Sequence, residues 1–120
     1  LAGKENLKNC YFSGHFFSGS SAPQVKTFVT NHKKRYNTVP DMLGALGYDA
    51  VYMLADAIKR AGKVDREAIK NALATTKNLK LVTGTISLDE NRNPIKSAVI
   101  ISFDANGNQV YKTTVNPPKK

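Results

Sequence analysis

Residues 42–58 constrain what this chain can fold into more than any other stretch. Of the seventeen, only Gly44, Gly47, Asp49 and Asp56 are not apolar. A helix that is apolar on nearly every side is a buried helix, so other elements must cover it all round. A sheet is the usual cover, and the chain has too few candidate parallel strands to build one. Asp49 and Asp56 stand seven apart on one face, where water or a partner must meet them. Asp56 can pair with Lys59 or Arg60 one turn on, worth a few tenths of a kcal/mol. Gly62 is the predicted C-terminal stop. Gly44 and Gly47 either cost the helix up to about 1 kcal/mol each or permit close backbone approach.

Two more helices flank this run. Upstream, Ser21 can cap a helix, and Gln24 three residues later completes a capping-box pattern. Val25, Phe28, Val29, His32 and Tyr36 recur at helical spacing and form one face, with Lys26, Lys33 and Lys34 mostly on the other. This predicts an amphipathic surface helix ending near Asn37. Thr38-Val39-Pro40-Asp41 is a loop, because the residue before proline avoids helical geometry. Downstream, Asp65 is a good N-cap, Glu67 suits the first turn, and Val64 can staple onto Ile69. Ala68, Ile69, Ala72 and Leu73 make a narrow buried edge, which Thr75 and Thr76 end.

Strand patterns bracket the helices. Residues 10–17 read as a short buried aromatic strand, stopped by Ser18-Gly19-Ser20-Ser21. Val82, Gly84, Ile86 and Leu88 alternate with Thr83, Thr85 and Ser87, which predicts one half-buried strand. Residues 89–94 form a turn, and residues 98–103 are a nearly continuous apolar, β-forming run. Asn106-Gly107 is a hairpin signal, with residues 110–115 as the returning strand. The pairing in this zone reads as antiparallel, and residues 116–120 read as a frayed, disordered tail. There is no internal repeat.

The length of 120 residues fits one domain. Eighteen basic residues against nine acidic ones give a formal charge of +9, which would draw the chain to nucleic acid, anionic lipid or an acidic partner. The basic residues cluster at 26–35 and 59–80. Aromatics do not interleave with them as a base-stacking platform requires, and neither zinc-finger nor RRM signatures occur. Two solvated helix faces account for the charge, and a basic nucleic-acid-binding domain is the alternative. No run of eighteen uncharged apolar residues exists, which excludes a membrane-spanning helix. The chain begins at Leu1, without Met or a basic-then-apolar leader, and reads as a mature or cut product.

Chemical motifs are sparse. Asp89, Asn91 and Asn93 have the spacing of a calcium loop, as do Asp104, Asn106 and Asn108. Both lack the glycine at the sixth place and the acid at the twelfth, so both read as turns. His15 and His32 lie on different elements, with no HExxH motif or CxxC partner. Cys10 cannot form an internal disulfide, and a small buried hydrophobe is its expected role. Phosphate-loop, dinucleotide and nucleophile-elbow motifs do not occur. The expectation is therefore no enzyme, no metal and no cofactor.

The order of segments says more than any motif. It runs Tyr11-Phe12-Ser13-Gly14-His15-Phe16, a helix with Phe28-Val29, a Tyr-Asn-x-x-Pro-Asp loop at 36–41, and Ala45-Leu46-Gly47-Tyr48-Asp49-Ala50-Val51. Then follow residues 55–62, Glu67-Ala68-Ile69-Lys70-Asn71-Ala72-Leu73, and Val82-Thr83-Gly84-Thr85-Ile86-Ser87-Leu88-Asp89-Glu90-Asn91. Across residues 9–115 this closely resembles the C-terminal third of the branched-chain amino-acid binding proteins, the Leu/Ile/Val-type substrate-binding subunits of ABC importers. Arg92 departs from the family, which usually has Gly at that place in the turn.

The resemblance implies an α/β chain that is part of a type I periplasmic-binding fold: three helices, an aromatic strand and a C-terminal β-hairpin region of a two-lobed protein. Residues 1–120 would add pieces to both lobes, completed by a missing N-terminal segment or a swapped second copy. It implies an extracytoplasmic location, in the periplasm or at the cell surface, with a lipid on the missing N-terminus as one means of attachment. The implied partners are a small ligand, an amino acid or similar polar molecule, held between the lobes and delivered to a membrane permease. Nucleic acid is not among them. Carried over residue by residue, the cleft lining implied is Leu43, Ala45 and Tyr48 at the start of the apolar helix. His15 and Phe17 join them, because strand ends face the cleft in α/β folds. Small Ala45 implies room for a ligand larger than Leu, or for an aromatic one. The groups that clamp the ligand's ammonium and carboxylate are expected upstream.

Overall fold

The computed structural model of the chain describes residues 3–118. Expectations that rest on Leu1, and on residues 119–120 of the predicted tail, lie outside the described residues. After a 3-10 turn (Lys4–Leu7) come strand β1 (Tyr11–Gly14) and helices α1 (Pro23–Tyr36), α2 (Met42–Ala61) and α3 (Arg66–Ala74). Five strands follow: β2 (Leu79–Leu81), β3 (Gly84–Leu88), β4 (Pro94–Ile95), β5 (Ala98–Phe103) and β6 (Gln109–Val115).

Local chemistry sets the helix ends. Asp41 caps α2 by accepting from the Gly44 N–H at 2.7 Å, and Asp65 caps α3 by accepting from the Ala68 N–H at 2.8 Å. Gly62 closes α2 in the left-handed conformation, at φ 67°. Asn37 closes α1 in the same way, at φ 54°. Two expected caps do not form. Helix α1 opens at Pro23 with Ala22 as an N-cap that makes no side-chain bond. Proline has no N–H to satisfy, and its fixed φ starts the helix, so Ser21 falls one residue too early to cap it. Val64 is 93% exposed and does not staple onto Ile69.

The strands form two three-stranded sheets, ordered β1-β5-β6 and β2-β3-β4. Every pairing is antiparallel. The Asn106-Gly107 hairpin joins β5 to β6, with Gly107 at φ 81°. The aromatic strand is shorter than residues 10–17 and is not buried: of β1 only Gly14 is buried, and Tyr11 and Phe12 are exposed. Cys10, expected in the interior, is exposed too. The predicted single strand from Val82 is a hairpin instead. Leu79–Leu81 pairs with Gly84–Leu88, and Val82 and Thr83 make the turn. Both calcium-like stretches are turns. The carboxylates of Asp89 and Asp104 accept the N–H groups two and four residues on. Arg92 stands in the first of these turns at φ 66°, a conformation that favours glycine.

The core sits in two places. Phe16, Val25, Phe28, Ala45 and Val82 pack together beneath α1 and α2. Leu81, Ile86 and Leu88 pack under the second sheet, with Met53 and Leu79 against them. Arg60 staples α2 to α3. Its Nε pairs with Asp56 at 2.7 Å, while its terminal nitrogens donate to the Ala72 carbonyl at 2.6 Å and the Thr76 hydroxyl at 3.0 Å. The apolar helix is not covered as its sequence demands. Only Ala45, Asp49 and Ala57 of α2 are buried. Leu43 is 72% and Val51 66% exposed, and Tyr52, Leu54 and Ile58 lie open beside them.

Candidate functional site

The elements fall into two groups. One is the β1-β5-β6 sheet; the other is the three helices with β2-β3-β4. Every substantial contact between elements lies inside one group or the other. The chain crosses between them twice, once after Gly14 and once at Lys96-Ser97. Gly14 and Val99 are paired neighbours, so the crossings run side by side.

A cleft of about 540 Å³ opens at these crossings, within the size range of small-molecule sites. Three places in the sequence line it: the loop and helix start at 15–25, the turn at 82–84, and Ser97 with β5 and β6. Phe16, Phe17, Val25, Val82, Val99 and Tyr111 give it an apolar and aromatic surface, among which stand the hydroxyls of Ser20, Ser21, Thr83, Ser97 and Thr114. None of the described lining residues is Asp, Glu, Lys or Arg.

Each wall is positioned by groups behind it. The Phe16 ring packs edge-on against Phe28, with centroids 5.8 Å apart, and the His15 N–H donates to the Met42 Sδ at 3.1 Å. The turn at 82–84 is held from α2: Asp49, which is 3% exposed, accepts from the Val82 N–H at 2.9 Å and the Thr83 N–H at 2.8 Å. The Lys96 ammonium donates to the Thr83 hydroxyl. Burial lowers the Lys96 pKa, and attraction to Asp49 opposes that shift.

His15 and Phe17 both line the cleft. Leu43, Ala45 and Tyr48 do not. Leu43 points to solvent from the start of α2. Ala45 exposes no surface, and its small side chain packs in the core with Phe16 and Phe28. Tyr48 lines a separate groove of about 280 Å³ with Phe28, Tyr52 and Lys80. Its ring lies 4.7 Å from Phe28 and 4.6 Å from Tyr52. Hydrogen bonding to Tyr52, then burial, pushes the Tyr48 hydroxyl up to about 12. Ser97, Tyr111 and Thr114 are lining residues that no motif marks, and Thr83 lies in a segment that carries the resemblance without being marked as lining. Only the pairing of distant segments brings them to one cleft.

The sequence model of the family described as "Periplasmic binding protein" matches residues 1–108. The chain belongs to the periplasmic binding proteins. Its fold is part of the type I form, and its solved relatives are solute-binding proteins of ABC transporters. A leucine binding protein of Thermotoga maritima is 38% identical, with a TM-score of 0.80 over 94% of this chain and 32% of that one. A branched-chain amino acid transporter substrate binding protein of Streptococcus pneumoniae, solved with isoleucine, is 28% identical, with a TM-score of 0.74 over 96% of this chain and 35% of that one. A solute binding protein of Rhodopseudomonas palustris solved with benzoate shares the fold, at 21% identity and a TM-score of 0.77 over 89% of this chain and 30% of that one. No curated protein matches. The chain spans about a third of the length of these solved relatives. The family is extracytoplasmic, and among the described residues no helix is long and apolar enough to cross a membrane.

Proposed function

We propose that this chain is the C-terminal part of an extracytoplasmic solute-binding subunit of an ABC importer, which takes an amino acid into the cleft at the double crossing and delivers it to a permease. The observation that carries this reading is the character of the cleft wall. It is aromatic, rich in hydroxyls, and free of carboxylates, lysines and arginines among its described lining residues. Such a wall suits the uncharged side chain of an amino acid; its hydroxyls can hydrogen-bond the ammonium or carboxylate, but it carries no opposite charge for either. A buried ion without a partner is costly, so the charged end belongs to groups on the rest of the protein. His15 and Phe17 sit on the wall that meets the ligand. The two groups of elements are this chain's contributions to the two lobes, and the open face of α2 is covered by the missing N-terminal segment or by a swapped second copy.

Calorimetric titration of the full-length protein with leucine, isoleucine, phenylalanine and benzoate tests the reading. An amino acid with an apolar side chain binds, and Phe17→Ala weakens it by about tenfold, as expected for loss of a buried aromatic contact. Absence of binding by every amino acid, together with salt-steep affinity for random DNA, would replace this reading with the nucleic-acid one.

A further inference from the structure

The second crossing is only two residues long. Ile95 is still paired with Ser87 in the second sheet, and Ala98 is already paired with Val115 in the first. Between them, each bridge residue is tied to a different body. The Lys96 ammonium donates to the Thr83 hydroxyl on the β2–β3 turn, and that turn is fixed to α2 through Asp49. The Ser97 hydroxyl donates to the Asn116 Oδ1 at 2.7 Å, just beyond β6. At this crossing, rotation of one body against the other is therefore confined to the link between Lys96 and Ser97 unless one of the ties breaks, and it must be matched at the crossing after Gly14 that runs beside it.

We propose that Lys96 is a positioning residue of the cleft: by holding the crossing segment to Thr83 it sets the angle between the two bodies, and with it how far the cleft is closed before ligand arrives. Lys96 is partly buried and has its acceptor, Thr83, and the carboxylate that attracts it, Asp49, in the same body. Opening that turns at Lys96 itself, and not only at the link beyond it, gives up the bond to Thr83 and the attraction to Asp49, and this resists opening. A cleft held near its closed angle spends more time competent to bind, so apparent affinity rises with that fraction. Thr83 also lines the cleft, which joins the tie to the ligand's own wall. This inference rests on the reading of the cleft as the ligand site.

The test uses the full-length protein with Cys10→Ser, and with spin labels at Thr113→Cys on β6 and Lys63→Cys between α2 and α3. The distance distribution between the labels is measured without ligand, and affinity is measured with leucine and phenylalanine as probes. Lys96→Met keeps the aliphatic stem and removes the donor; Thr83→Val keeps the backbone bond to Asp49 and removes the acceptor. Each is expected to broaden the ligand-free distribution and to weaken the bound probe by about tenfold. The double variant should be no worse than either single one, and Lys96→Arg should restore the narrow distribution. Distributions unchanged in both single variants overturn the proposal, as do affinities within twofold of the parent or effects that multiply in the double variant. Should the parent bind neither these probes nor any other amino acid, the reading of the cleft as an amino-acid site fails, and the distance distributions still decide the role of Lys96.

Discussion

The Asp49 carboxyl lies almost out of water, at 3% exposure, and each of its oxygens accepts one backbone N–H of a turn more than thirty residues away. Hydrogen bonds to a buried carboxylate are about twice as strong as neutral ones, and a buried N–H left without an acceptor costs its full desolvation. Asp49→Asn keeps the shape but puts an NH2 group where one of those amides needs an oxygen. We expect it to destabilise the full-length protein by roughly 2–4 kcal/mol. The check is the urea midpoint, and a loss below about 0.5 kcal/mol, the size of a surface effect, would refute the assignment. The same residue shows why part of the site is illegible in sequence. Val82 and Thr83 have no turn chemistry, and both favour strands. Their turn exists because a distant carboxylate satisfies its amides. That Phe17 and His15 line a cleft follows from their place just after a strand, whereas the burial of Ala45 does not show in the sequence, since an alanine beside a cleft and one beneath two phenylalanines look alike there.

At the scale of elements, legibility follows how local the cause is. The end of α2 and the start of α3 were readable from Gly62 and Asp65, because caps act within one turn of the chain; the Asp41 cap of α2 was not, since the sequence placed Asp41 only in the loop before the helix. The β5–β6 hairpin was readable for the same reason. Burial was not, because periodicity says which residues are apolar and nothing about what else is there to cover them. The hairpin also makes a prediction about pH. The Asp104 carboxylate accepts from the Asn108 side chain at 3.0 Å and from the Asn106 and Asn108 N–H groups, each at 2.8 Å. These bonds, that from the Asn108 side chain foremost, hold its pKa below the ordinary 3.8. A depressed carboxylate stabilises the fold above its unfolded pKa, and the contribution is lost as pH falls through the folded value. The amide shifts of Asn106 and Asn108, followed by NMR on the full-length protein, should titrate with a midpoint below 3.8. Asp104→Asn should abolish that titration. A midpoint at or above 3.8 contradicts the turn geometry.

The whole molecule is larger in surface and extent than its length explains. Its accessible surface is 8793 Å², where a folded monomer of this mass has roughly 6,400 Å². Its radius of gyration is 16.9 Å, against about 13.6 Å for a compact domain of this length. The excess of roughly 2,400 Å² is comparable with the area hidden in permanent interfaces. Much of it is open apolar surface: Leu43, Val51, Tyr52, Leu54 and Ile58 along α2, and Tyr11 and Tyr111 on the first sheet. Soluble monomers rarely expose an apolar patch of that kind without a partner for it. We therefore expect the 120 residues, expressed alone, to associate or bind a hydrophobic dye, and to melt without cooperativity. Co-expression with the remainder of the protein should restore a single sharp transition. Val51→Glu and Leu54→Glu together should improve the solubility of the isolated chain while preventing its recovery by the remainder, because they charge the open face of α2 that the proposed cover would meet. Light scattering decides the matter: a compact, cooperatively melting monomer that ignores the dye would mean that α2 needs no cover, and that +9 on 120 residues describes a self-sufficient basic domain.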